Sequence, residues 1–281
     1  MRKRFSLINF LSLLLFLQAC SSGIQPNIDK LESVIASKGV VAHRLRSMGE
    51  VPIDSYIEGV TTRLGTDETT DVLKMLPDDN YHQALSIIVE EMNDYPENIL
   101  LSDLDNVYLG GKIQTDRSQF TAGFFIPNKK DIYLFSMVSD NVDNDALLIL
   151  AETFHHEFSS ILMRKYRFDM IGFMAYNGSN IEYWNDEGYL LKHPPASYYA
   201  SDALLTEGLL THYAQTSPEN DYNGYVEVAF AYPEIMSQFC SSYDRIKLKY
   251  EFIKKFYLKI SADFQPVFDQ VSCGDNTVLV D

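Results

Sequence analysis

Apolar positions along the chain fall into distinct regimes. Phe5 to Leu17 is a nearly unbroken apolar run, interrupted only by Ser6, Asn9 and Ser12. Helix-like spacing follows over residues 27–48 and 82–93, the second carrying Leu85, Ile87, Ile88 and Met92. Three short segments have strand character: Asn106 to Leu109, Gln119 to Ile126 and Asp131 to Phe135. The last two are separated by Pro127-Asn128-Lys129-Lys130, a turn signal. From Asp145 to Arg164 apolar residues recur at 147, 148, 150, 151, 154, 158, 161 and 162, the spacing of a well-buried helix. Asp143, Asn144 and Asp145 supply its caps and first-turn negative charge. Residues Asn177 to Ser201, rich in Asn, Gly, Pro and Tyr, predict a long surface loop. Helical spacing returns near Ala203 to Ala214, from Tyr225, and from Tyr243 to Ile260. These elements make an α+β fold: a small sheet, a buried helix and a mainly helical second half. No repeat, low-complexity run or linker divides it.

The first apolar run changes how the chain's start is read. Met1-Arg2-Lys3-Arg4 is basic, and the run ends at Leu17-Gln18-Ala19-Cys20. It is too short for a bilayer core of about 30 Å, so it predicts a removable export signal over residues 1–19. A cysteine at the first mature position is where bacterial lipoproteins carry their lipid, which makes Cys20 the expected lipidation site. Residues 20–30 then serve as a lipidated tether. The expected location is the cell envelope, anchored to the outer membrane and facing the periplasm or the cell surface.

Charge narrows the partners. The net charge is −16, and it becomes more negative once the basic leader is removed. Such a polyanion is a poor ligand for nucleic acid or anionic lipid head groups. Two further cysteines, Cys240 and Cys273, would lie in an oxidising compartment after export, where a disulfide between them is permitted but not required.

Candidate chemistry sits inside the buried helix, at Phe154-His155-His156-Glu157-Phe158-Ser159-Ser160-Ile161-Leu162. In H-E-x-x-H the two histidines stand one turn apart and ligate one Zn²⁺, while the glutamate takes a proton from the metal-bound water. His156 and Glu157 fit that pattern, but the second histidine's position holds Ser160. The tract resembles the H-H-E-F-x-H-I-L motif of the substrate-import-associated zinc metallohydrolase lipoproteins, metallopeptidases found with outer-membrane nutrient-uptake systems. Ile132-Tyr133-Leu134-Phe135 resembles the strand before that family's metal helix, and Tyr183-Trp184-Asn185 its Ser-Trp-Asn stretch. Gly208 to Ala214, Tyr225-Val226-Glu227-Val228 and the tail from Tyr243 to Val271 continue the similarity, which covers roughly residues 100–281.

The resemblance implies a zincin-like metallopeptidase domain over residues 31–281, with His156 and Glu227 as metal ligands and Glu157 as catalytic base. Glu227 takes the ligand position only if about three extra residues are allowed after Ala214; without a gap, Gly224 would fall there. Ser160 in place of a histidine, and Met163 where members often carry another, leave the ligand set incomplete. His155 lies about 100° around the helix from His156 and should not face the same metal; His212 is a remote substitute. Zinc is therefore expected to bind weakly or not at all. Two functions follow. One is a catalytically impaired lipoprotein that assists substrate binding or nutrient uptake within an outer-membrane complex, its peptide or glycan substrate unnamed. Tyr176, Tyr183, Trp184, Tyr189, Tyr198 and Tyr199 could line its cleft. The other is an active zinc metallopeptidase with an atypical ligand set.

Overall fold

A computed structural model of the chain describes residues 28–47, 50–51, 72–73, 75–111, 113–114, 122–126, 129–135, 144–184 and 199–274. The export signal, Cys20 and most of the tether lie outside them, as do Asp143, Asn185, Tyr189, His193 and Tyr198. No helix among the described residues is long and apolar enough to cross a membrane.

Among the described residues the main sheet has four strands, β1 (Val41–Arg44), β3 (Asn106–Gly110), β5 (Gly123–Ile126) and β6 (Asp131–Phe135), in the order β1-β3-β6-β5. The first three are mutually parallel, and β5 runs antiparallel at the edge beside β6. Strand β2 (Val72–Leu73) pairs separately with β4 (Ile113–Gln114). Alternation sorts the side chains onto the two faces. Val107, Leu109, Ile132 and Leu134 join the main core, whereas Phe124, Ile126, Tyr133 and Phe135 form a second cluster with Leu45, Val51 and Leu73. All five residues of β6 are buried, as expected of a strand covered on both faces.

Helices cover the core face. They are α1 (Ile28–Ser37), α2 (Asp78–Glu91), α3 (Glu97–Asp103), α4 (Asn144–Lys165), α5 (Met170–Met174), α6 (Asp202–Thr206), α7 (Pro218–Ala231), α8 (Pro233–Ser242), α9 (Asp244–Ile260) and α10 (Gln265–Phe268). The long helix α4 packs on β5 and β6 with one side and against α2 and α7 with others. Contact with β5 is close. A Cβ on Gly123 would sit 2.5 Å from Thr153 and 3.2 Å from the Glu157 Cγ, so only glycine lets the strand come this near to α4.

Several sequence expectations are corrected here. The helix expected over 27–48 stops at Ser37. Gly39 has φ of +79°, a left-handed turn that ends the helix, and the chain then enters β1. The helix expected over 203–214 is only α6, followed by a turn at Gly208 (φ +92°) and a 3₁₀ segment at Tyr213–Thr216. Helix α7 begins at Pro218, seven residues before Tyr225; Ser217 caps it by accepting from the Asn220 N–H.

The last helices are tied to the rest of the fold. Cys240 and Cys273 form a disulfide. Lys249 of α9 is wholly buried, donating to Asp221 at 2.5 Å, to the Asn177 side-chain carbonyl at 2.7 Å and to the Gly208 carbonyl at 2.9 Å. Tyr183 donates to Asp221 at 2.6 Å. This network ties the segment after α5 to α7 and α9. Of the aromatic residues expected to line a cleft, Tyr183 joins this network, Tyr176 packs on Phe252 and Tyr199 on Phe239.

Candidate functional site

The face of α4 that meets α7 carries polar residues every four positions: Glu152, His156, Ser160 and Arg164. Residues four apart lie on one helical face, about 6 Å from each other. Helix α7 and its C-cap present partners in the reverse order. Tyr232 hydrogen-bonds with Glu152, Glu227 with the His156 Nδ1, Asn223 with Ser160 at 2.9 Å, and Glu219 with Arg164 at 2.8 Å. The result is a polar ladder between two antiparallel helices, with His156–Glu227 as its second rung.

The third rung decides what the second can do. Ser160 is 1% exposed, and its Oγ accepts from the Asn223 amide. The carbonyl of that same amide lies 2.6 Å from the Ser159 hydroxyl. Asn223 is thereby clamped between two serines. Small side chains at 159 and 160 let α7 approach α4 here, which leaves no open space for an imidazole without displacing Asn223.

Electrostatics follow from burial. Burial alone would lower the His156 pKa, but the Glu227 charge and hydrogen bond, with Glu157 and Glu219 nearby, outweigh it and hold the imidazole at about 9. Burial, then the Glu227 charge, raises Glu152 to about 7, against the Tyr232 hydrogen bond. Glu157 is 7% exposed and lies against β5. The Tyr213 ring stands 6.0 Å from that of His156.

The structure therefore brings His156, Ser160 and Glu227 to one helix–helix seam, with Glu157 on the neighbouring sheet side of α4. Gly224, the ungapped alternative to Glu227, faces Thr211 instead. Neither His212 nor any other described histidine, cysteine, aspartate or glutamate joins His156 and Glu227 in a trio with ligand atoms within 4.8 Å of each other; among the described residues that condition is met at Glu91, Asp94 and His155. His155 does point away from His156: its Nδ1 lies 2.9 Å from the Tyr95 hydroxyl and its Nε2 2.7 Å from Glu91. Burial raises Asp94 to about 6, with His155 lowering it and Glu91 and Glu90 raising it. Sequence reasoning missed this second group. Its available signal was two acids three apart, Glu91 and Asp94, where the 82–93 pattern ends.

Judged against a catalytic zinc's needs, the first site falls short among the described residues. Three protein donors and an open position are required, and His156 and Glu227 supply two. A neutral hydroxyl already accepting from an amide does not replace an imidazole.

No protein-family model matches the chain, and no curated protein does. Among solved structures, the fold is similar to the crystal structure of a proposed zinc-binding metallo-peptidase from Bacteroides caccae. The TM-score is 0.51 and the identity 16%, over 86% of this chain and 90% of that one. The chain thus has a mixed α+β fold of the kind seen in that metallopeptidase-like protein.

Proposed function

We propose that this chain is a lipid-anchored envelope protein with a metallohydrolase-like fold whose His156 site has lost zinc hydrolysis, and that it assists binding or uptake of a peptide or glycan substrate. The single observation that supports the loss of hydrolysis is the Asn223–Ser160 rung. Position 160 faces the same partner helix as His156, as a second ligand would, but its oxygen is committed to an amide. The envelope location rests on the leader sequence and Cys20, and the uptake role on the family resemblance.

A second reading is favoured by the meeting of His156 and Glu227 beside Glu157: an active zinc peptidase with an unusual donor set. Zinc bound there would polarise a scissile carbonyl and activate water; from this chain, His156 and Glu227 would hold it. The two readings separate in a hydrolysis assay on a mixed peptide library with added zinc, comparing the native chain with Glu157→Gln. The first expects no zinc-dependent turnover in either. Turnover that disappears in Glu157→Gln would establish the second.

A further inference from the structure

Helix α2 ends at Glu91, and the chain turns through a 3₁₀ segment, Met92–Asp94, before Tyr95. Helix α4 passes this corner and presents His155, which is wholly buried, on the side away from His156 and Glu227. One ligand atom each from Glu91, Asp94 and His155 lies within 4.8 Å of the others. The Tyr95 hydroxyl at Nδ1 fixes the ring so that Nε2 faces the two carboxylates.

Charge at this corner is one-sided. The last turn of α2 holds no basic residue, and its free carbonyls add partial negative charge. Among the described residues, no lysine or arginine pairs with Glu91 or Asp94, and Asp94 makes no side-chain hydrogen bond. The Glu91–His155 pair offsets only part of the Asp94 charge, and among the described residues the half-buried Asp94 carboxylate has no cation of its own.

We propose that Glu91, Asp94 and His155 bind a divalent transition-metal ion of the zinc type, clipping the end of α2 to the middle of α4. An imidazole with two carboxylates favours such ions over Mg²⁺ and Ca²⁺, which take oxygen donors. Bonds of about 2.0–2.2 Å put tetrahedral donor atoms roughly 3.3 Å apart. The Nε2 to Glu91 separation of 2.7 Å therefore widens modestly as the shared proton leaves. Tyr95 already occupies the place of the outer partner that orients a ligating histidine. The half-buried side of Glu91 and Asp94 leaves a fourth position for water. The role is structural: the clip fixes the α4 segment that carries His156.

The test uses the full chain in detergent, stripped of metal with a chelator. Zn²⁺ is titrated against a chromophoric competitor, and thermal unfolding is followed with and without Zn²⁺. The native chain is expected to take up one equivalent of Zn²⁺, undisturbed by excess Mg²⁺, and to melt at higher temperature with it. Asp94→Asn, a change at a turn that keeps the side-chain shape, should weaken uptake at least tenfold and abolish the thermal shift. His156→Gln should alter neither. The proposal is overturned if the native chain takes up no Zn²⁺, if Asp94→Asn binds as the native chain does, or if His156→Gln is the change that removes binding. That last outcome would instead revive the active reading of the His156 site.

Discussion

Asn223 donates to Ser160 at 2.9 Å one helical turn from the point where Glu227 meets His156. The two contacts are successive rungs of one ladder, so the side chain at 160 bears on what surrounds His156. A histidine at 160 would add a second nitrogen donor one turn from His156. A serine lets Asn223 close the seam, and the pair His156–Glu227 becomes an interhelical ion pair.

Rebuilding the missing donor should reverse this. Ser160→His made together with Asn223→Ala, which vacates the space beside it, is expected to raise zinc affinity at the His156 site on the order of a hundredfold, since a third ligand completes the set. Competitive titration on an Asp94→Asn background reads this site alone. Ser160→His without the second change should gain much less, because the clamped amide stands in the way.

The His156–Glu227 pair carries a pH signature in the metal-free protein. With its pKa raised from the usual 6.5 to about 9, the imidazole stays charged at neutral pH. A raised histidine stabilises the fold fully below about 6.5 and loses that contribution as the pH climbs through about 9. Imidazole resonances followed by NMR should show His156 titrating near the upper value, and Glu227→Gln should bring it down.

Lys249 gives a test of the packing behind the site. Removing the ammonium with Lys249→Met leaves Asp221 buried without its counter-charge, which costs about 3–5 kcal/mol for pairs of this kind. The double change Lys249→Met with Asp221→Leu should recover much of that loss. Denaturant unfolding of the three proteins checks both values.

The disulfide should also be measurable. Cys240 and Cys273 are 33 residues apart in sequence, and a loop of that size restricts the unfolded chain by about 3–4 kcal/mol. Cys273→Ser is expected to lower stability by up to that amount under oxidising conditions and by nothing further once the native chain is reduced.

Parts of this fold were legible in the residues, and the reasons differ by element. Strand β6 and helix α4 declared themselves because burial leaves an apolar run or an apolar repeat. Strand β1 did not: Val41-Ala42-His43-Arg44 is short and half polar, and its partner β3 lies more than sixty residues away. The start of α7 was hidden for a related reason. Asn220, Asp221 and Asn223 are buried through side-chain hydrogen bonds, so polarity there does not mark a surface. Spacing and resemblance singled out His156, Ser160 and Glu227, and these do meet one seam; Asn223, which decides what Ser160 does, carried no signal of its own. The Glu91–Asp94–His155 corner depends on a contact between α2 and α4 that no local pattern encodes.

The most direct measurement is the anomalous map of a crystal soaked in zinc. No zinc peak is expected within bonding distance, about 2.0–2.2 Å, of His156 and Glu227, with Asn223 still on Ser160. A fully occupied zinc bonded to His156 and Glu227 would contradict this expectation.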